Sequence, residues 1–593
     1  VFDQLKRLEY RGYDSAGVAY PENGHIEILK KAGKLAELKK LMDVEPRWAD
    51  LAIAHSRWAT HGGPTDVNAH PHFDASERIA VLHNGIIENY LDLKEELLSK
   101  GHHFKSQTDT EVAAHVIGEE YDKGVPLEEA VRKGAHRLRG AFALVVMSKD
   151  EKGKIVATRN ASPLVIGVGE GENLLASDIP ALLPYTREIV VMEENSVATL
   201  TKNSLDIVDF DGRELPFKPI HIEWDVAVAE RGGFEHFMLK EIHEQPQVIR
   251  QALAGRMDDK GAIRLDHVFN DHVWTNIDRV NIIGCGTAYH AALMGKHLFE
   301  KLLRVPTNVY YSSEFRYGDP VLSSRSLAIF VSQSGETADT LAALRLCKQR
   351  RIRTLGVVNV IGSSIARECD KTIFTQAGPE ISVASTKAYT AQVIVLALLA
   401  LYIAQVQETP GVRVGHAAAE LAALPDKAET CLKHEEQIIR IAERYRGMPL
   451  CFFLGRGADA HVALEGALKL KEIAYIPTQE SPAGEMKHGP LALVIPGVVA
   501  VFGSTETDLR DKVVSNMQEV KARGGTVLAV TTEDDTVTTK AADEVIYVPG
   551  AKYPFMSALL SIIPMQLFAY HVARLNGCEI DQPRNLAKSV TVE

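Results

Sequence analysis

At 593 residues the chain is too long for one hydrophobic core, so several domains are expected. Its formal charge of −12 and pI near 6.0 lack the basic excess of a general nucleic-acid binder. The longest uninterrupted apolar run, Val393 to Ala404, is 12 residues, against about 20 needed to cross a bilayer, and reads as a buried core helix. The six cysteines, first Cys285 and last Cys578, show no CxxC spacing, so neither a zinc site nor a disulfide framework is expected, and a reducing cytoplasm fits.

The chain opens on helix-like sequence, Val1 to Leu8. Residues 1–222 then alternate short apolar strands (Leu51–Ala54, Ile79–Leu82, Ala141–Val146, Ile189–Met192) with helical stretches near Tyr90 to Lys100 and Glu111 to Tyr121. This pattern predicts an α+β domain. Polar motifs sit at the strand ends: His55-Ser56-Arg57-Trp58-Ala59-Thr60-His61-Gly62, His83-Asn84-Gly85 and Thr108-Asp109-Thr110-Glu111. Arg57 and Asp109 suit the carboxylate and the amine of an amino acid, or pair with each other structurally. Asn84 with the Gly85 N–H suits an oxyanion hole, or an ordinary turn. The histidine pairs His70/His72 and His102/His103 have no supporting ligand cluster and read as structural or surface residues. A glycine pair and mixed charge mark 223–245 as a linker.

The second half contains an internal repeat. Val280–Gly286 leads into His290, and Cys451–Gly457 leads into His461; 171 positions separate both the glycines Gly284 and Gly455 and the two histidines. Two βαβ-type units with parallel sheets follow, at 246–430 and 431–580. The first copy holds an apolar run, Leu327–Val331, then Ser332-Gln333-Ser334-Gly335-Glu336-Thr337, then a helix-like stretch from Ala338. A hydroxyl-rich turn that opens a helix is a natural phosphate cradle, because the first-turn N–H groups lack partners. The first copy adds Val383-Ala384-Ser385-Thr386-Lys387. The second lacks the full loop and carries Lys469, Glu472 and Gly484-Glu485-Met486-Lys487-His488-Gly489-Pro490 instead, so one copy would hold an anion while the other supplies acid–base groups. The tail, 581–593, reads as docked rather than loose.

Four of these segments taken together resemble the glutamine–fructose-6-phosphate aminotransferase (isomerizing) family, the glucosamine-6-phosphate synthases. They are the motif at 55–62, the Ser332–Thr337 loop, the motif at 484–490 and the tail Asp581–Glu593. The resemblance runs from end to end. It implies an α+β glutaminase domain of the N-terminal-nucleophile fold followed by two α/β, flavodoxin-like sugar isomerase (SIS) subdomains, and no metal or organic cofactor. By motif, Arg57, Thr60, His61 and Asp109 would hold glutamine, Asn84 and Gly85 would form the oxyanion hole, and Trp58 would gate the released ammonia. Ser332, Gln333, Ser334 and Thr337 would bind the sugar phosphate, with Thr287 and Ser385 nearby. Glu472 would be the base, assisted by Lys469; His488 would open the ring from a neighbouring subunit, which implies a homodimer; and Lys588 would form a Schiff base.

The sequence departs from the family pattern in two places. Ala288 stands where many relatives carry serine. The family's nucleophile is a leading cysteine, and no cysteine precedes Cys285; the expectation is that a first strand with its Cys lies before Val1. Two other readings are an SIS isomerase or deglycase and a non-catalytic sugar-phosphate sensor. The glutaminase motifs argue against the first, and the set Glu472, His488 and Lys588 against the second.

Overall fold

The computed structural model describes residues 1–9, 12–44, 48–59, 61–222, 231–258, 260–265, 268–269, 273–274 and 276–591. The chain forms two compact units, one made of Val1–Ala229 with Ala587–Glu593 and the other of Glu230–Leu586. The division falls inside the stretch read as a linker, of which 223–230 lie outside the described residues.

The first unit is built on a six-stranded antiparallel sheet whose longest strands are Ile79–Ile87 and Gly140–Ser148. Successive side chains of a strand point to opposite faces. Ile79, Val81, Leu144 and Val146 therefore pack against the helices Tyr90–Ser99, Asp109–Tyr121 and Leu127–Arg137. Ala80, Leu82, Val145 and Met147 face a second core shared with a three-stranded and a four-stranded sheet. Both faces are covered, which is why these strands read as unbroken apolar runs rather than alternating ones. Thr108 caps the helix Asp109–Tyr121 by accepting the Glu111 N–H, while the Glu111 carboxylate reaches back to the Lys105 and Ser106 N–H groups. This cap fixes Asp109 in the first turn.

The second unit holds two five-stranded parallel sheets. In each, counting strands in chain order, the spatial order is 2-1-3-4-5. The first runs from Arg279–Gly284 to Lys371–Phe374, the second from Cys451–Gly455 to Glu544–Val548. The identical order is the structural counterpart of the sequence repeat, and it is the flavodoxin-like arrangement. One large core serves both sheets. Its centre includes the helices Lys387–Val406 and Ile562–Leu575, the first of them apolar on every side. The stretches Lys387–Val406 and Pro554–Leu575 are long and apolar enough to cross a membrane by composition, but 89% and 100% of their apolar windows are buried inside the unit. They are core helices, as the Val393–Ala404 run suggested.

In open parallel sheets ligands bind beyond the carboxyl ends of the strands, where the strand order reverses. For the first sheet that point lies between Arg279–Gly284 and Ser326–Ser332. The loops that emerge there are 285–287 and 333–337. Topology alone thus brings Thr287 to the Ser332–Thr337 turn.

Candidate active site

In the first unit a cavity of about 770 Å³ is lined by Arg57, Trp58, Asn84, Gly85 and Asp109 among others, a volume typical of ligand pockets. The strand Ile53–Arg57 delivers Arg57, the strand Ile79–Ile87 delivers Asn84 and Gly85, and the capped helix delivers Asp109. Arg57 is 3% exposed. Its guanidinium donates to the carbonyl oxygens of His61, Gly62 and Gly63, bracing that turn. Burial lowers its pKa, and Asp109 and Asp14 oppose that shift. One Asp109 oxygen accepts the Ile87 N–H at 2.9 Å. The expected clamp is thus two separately anchored charges at one cavity. His61 stacks edge-on against Tyr90 and is not among the lining residues. Thr60 lies outside the described residues.

Four buried histidines, His55, His70, His72 and His83, cluster here, and all but His72 line the cavity. His55 Nε2 lies 2.8 Å from Asn84 Oδ1. Burial pulls His55 down to about 4 and lowers the other three as well, so the ring is neutral at pH 7 and donates from Nε2 to Asn84. The Asn84 carboxamide is thereby oriented with its NH₂ turned the opposite way. Thr110 Oγ1 bridges His70 and His83, and Thr108 Oγ1 meets His72. His70 and His72 are both buried. That His55 orients Asn84 was hidden in the sequence, since 29 residues separate the two. Gly85 is required sterically: φ is +128°, and a Cβ would fall 2.0 Å from the Ala141 carbonyl oxygen.

In the second unit the first sheet's switch point is preorganised. Ser332 Oγ accepts the Gly335 N–H at 3.0 Å and lies 3.3 Å from Thr337 Oγ1. Ser334 Oγ accepts the Glu336 N–H, and the Gln333 carbonyl accepts the Asn359 N–H. Thr337 is the N-cap of the 12-residue helix Ala338–Gln349 but makes no side-chain cap to it. The loop therefore combines a helix N-terminus with the hydroxyls of Ser332, Ser334 and Thr337, which suits an anion. Ser385 donates to the Glu380 carboxylate, which also accepts the Thr386 and Ala388 N–H groups.

Lys469 and Glu472 lie on the helix Ala458–Ala474, one turn apart, with Glu465 one turn before them. Lys469 and Glu465 are both fully buried. Lys469 Nζ lies 2.7 Å from Glu472, 3.2 Å from Glu465 and 3.1 Å from Thr287 Oγ1. The Thr287 hydroxyl proton goes to Glu465. Burial lowers the pKa of this lysine, but the two carboxylates outweigh it and hold it above the ordinary value. Glu465 is likewise raised by burial and then brought below its usual range by Lys469 and His290. Glu465 and His290 escaped the sequence reading, although the i, i+4 spacing of Glu465 and Lys469 carried a signal. His488 is exposed, on the short turn Ala483–His488. Lys588 stands in the segment that packs with the first unit, whereas the tail up to Leu586 packs with the second. There Asp581 accepts the Phe237 and Met238 N–H groups, and Arg584 covers the Tyr475 ring.

The second copy's switch point is filled by its own carboxylates. Glu506 accepts the Ala458 N–H at the start of the helix, and Asp459 accepts the Thr505 N–H and hydroxyl. Burial raises Asp459 to about 7. The first copy has Ala288 where the second has Asp459, so it lacks that carboxylate.

A family model described as a glutamine amidotransferase domain matches residues 55–184, and one described as an SIS domain matches 275–402 and again 450–575. The fold is that of a glutamine amidotransferase domain joined to a pair of sugar isomerase domains. The chain is 47% identical over its whole length, and over 97% of the relative's, to glutamine–fructose-6-phosphate aminotransferase (isomerizing) of Thermus thermophilus. It is 48% identical, with the same coverage, to that of Symbiobacterium thermophilum. The C-terminal domain of glucosamine-fructose-6-phosphate aminotransferase from Francisella tularensis superposes with a TM-score of 0.57 at 38% identity, covering 60% of this chain and all of that one. The chain belongs to the glutamine–fructose-6-phosphate aminotransferase (isomerizing) family.

Proposed function

We propose that this protein converts D-fructose 6-phosphate and L-glutamine into D-glucosamine 6-phosphate and L-glutamate, as a cytoplasmic homodimer. The observation that carries this reading is that similarity to the named relatives runs through both units without interruption. Arg57, Thr60, His61 and Asp109 hold the carboxylate and amine of glutamine. Asn84 and the Gly85 N–H stabilise the oxyanion, and Trp58 gates the released ammonia. Ser332, Gln333, Ser334 and Thr337 take the sugar phosphate, with Thr287 and Ser385 flanking it. His488 of a neighbouring subunit opens the ring. Lys588 condenses with the C2 carbonyl, losing water, and ammonia displaces it. Glu472 then removes a proton from C1 and returns one to C2, leaving an amine at C2 and an aldehyde at C1.

The phosphate loop is tested directly. Ser334→Ala and Thr337→Ala each remove a hydrogen bond to a charged group worth about 1.5–3 kcal/mol. Each should raise the KM for fructose 6-phosphate roughly tenfold or more. An unchanged KM in both variants would remove the loop from the site.

A second experiment separates the two half-reactions. Acyl transfer from glutamine needs a thiolate beside Arg57 and the Asn84–Gly85 pair, and residues 1–284 contain no cysteine. A polypeptide restricted to residues 1–593 should therefore release no ammonia from glutamine. It should still interconvert fructose 6-phosphate and glucose 6-phosphate, because the phosphate loop, Glu472, His488 and Lys588 are all present. Adding an N-terminal segment that begins with cysteine should confer glutamine-dependent synthesis. Glutamine hydrolysis at equal rates by the two forms would overturn the thiol assignment.

A further inference from the structure

The acid–base pair Lys469–Glu472 is not freestanding. Behind it lies a fully buried carboxylate, Glu465, and behind that His290, 175 positions away in sequence on the helix Thr287–Leu298 of the other sugar isomerase copy. His290 Nδ1 stands 2.8 Å from Glu465 Oε2, while Glu465 Oε1 takes the Thr287 hydroxyl at 3.0 Å and the Lys469 ammonium at 3.2 Å. A carboxylate with no solvent must be held by donors on both oxygens, or it rotates toward the strongest one. Thr287 and Lys469 both pull on Oε1, and His290 is the donor on Oε2. Without it, Glu465 is free to turn both oxygens onto Lys469 and draw the ammonium away from Glu472, 2.7 Å on its other side.

We propose that His290 is a positioning residue of the isomerase site: by donating Nδ1–H to Glu465 it divides the Lys469 ammonium between Glu465 and Glu472, and so keeps the base Glu472 charged and aimed. This rests on the assignment of Glu472 as the base. His290 acts on the proton transfer and not on the phosphate, so its loss should appear in kcat. Both sugar isomerase copies thereby contribute to one catalytic group, since the phosphate-binding copy orients the base carried by the other.

The test uses the full chain and fructose 6-phosphate to glucose 6-phosphate interconversion. His290→Leu should lower kcat about 10- to 100-fold, the worth of a hydrogen bond to a charged group, with KM within about twofold. His290→Asn, whose side-chain amide can donate from near the Nδ1 position, should recover most of the loss. In a double-mutant cycle His290→Leu should add little to Glu465→Gln, because the two act through one carboxylate. Unchanged kcat in His290→Leu, a change in KM alone, or equal loss in the Leu and Asn variants with melting temperatures preserved would each overturn the proposal. Glu472→Gln run in parallel separates this from failure of the site itself. Activity surviving there overturns the base assignment, and the proposal with it; activity lost there but kept in His290→Leu overturns this proposal alone.

Discussion

Lys469→Met should abolish sugar isomerisation and destabilise the second unit. The substitution leaves Glu465, at zero exposure, with only Thr287 and His290 as donors and no countercharge. Removing one partner of a buried ion pair typically costs about 3–5 kcal/mol. The carboxylate is expected to take up a proton instead, and the pH profile of stability should change accordingly. Glu472 loses the ammonium 2.7 Å from it at the same time, and turnover should fall by at least about a thousandfold. Pairing the change with Glu465→Gln removes the buried negative charge, so the double variant should regain much of the stability and none of the activity. Thermal melts beside steady-state rates decide the matter. A Lys469→Met protein that melts like the parent would show that the triad carries no net charge stress.

Gly85→Ala should be the most damaging single-methyl change in the first unit. The new Cβ would meet the carbonyl oxygen of Ala141 at 2.0 Å, in the neighbouring strand of the central sheet. That atom belongs to backbone and has no rotamer through which to yield. The residue also sits at φ +128°, where any side chain is strained. Together these should lower stability by more than about 3 kcal/mol. Gly124→Ala provides the comparison, since Gly124 also has positive φ but nothing within 4 Å of the added carbon; it should cost about 1 kcal/mol. Equal losses at the two positions would mean that the strand spacing relaxes freely.

Much of this architecture was legible in the chain. The 171-residue repeat announced two copies of one sheet, and both sheets have the same strand order. The run Leu327–Val331 and the turn after it were legible because a buried parallel strand is continuously apolar and a helix must begin with unsatisfied N–H groups. Glu465 was only half visible: its spacing from Lys469 places both on one helical face, yet its partner His290 is fixed only when the two copies pack. The same holds for His55 and Asn84, which meet across neighbouring structures that no local pattern joins. No local pattern marks Asp459 and Glu506 in the sequence. Their role emerged only when both were found inside a crevice that topology reserves for a ligand.

That crevice bears on how many equivalents of ligand the chain takes up. A duplicated binding fold offers two cavities of the same design, and by symmetry alone one would count two phosphate esters per polypeptide. Here one of the pair carries a permanent internal tenant: the Glu506 side chain takes the N–H at the helix start and Asp459 takes the Thr505 N–H and hydroxyl, the donors that an incoming anion would need. A second anion would have to displace covalently tethered groups. Calorimetric titration with sugar phosphate should therefore saturate at one molecule per chain, and the duplication yields asymmetry of function from symmetry of form.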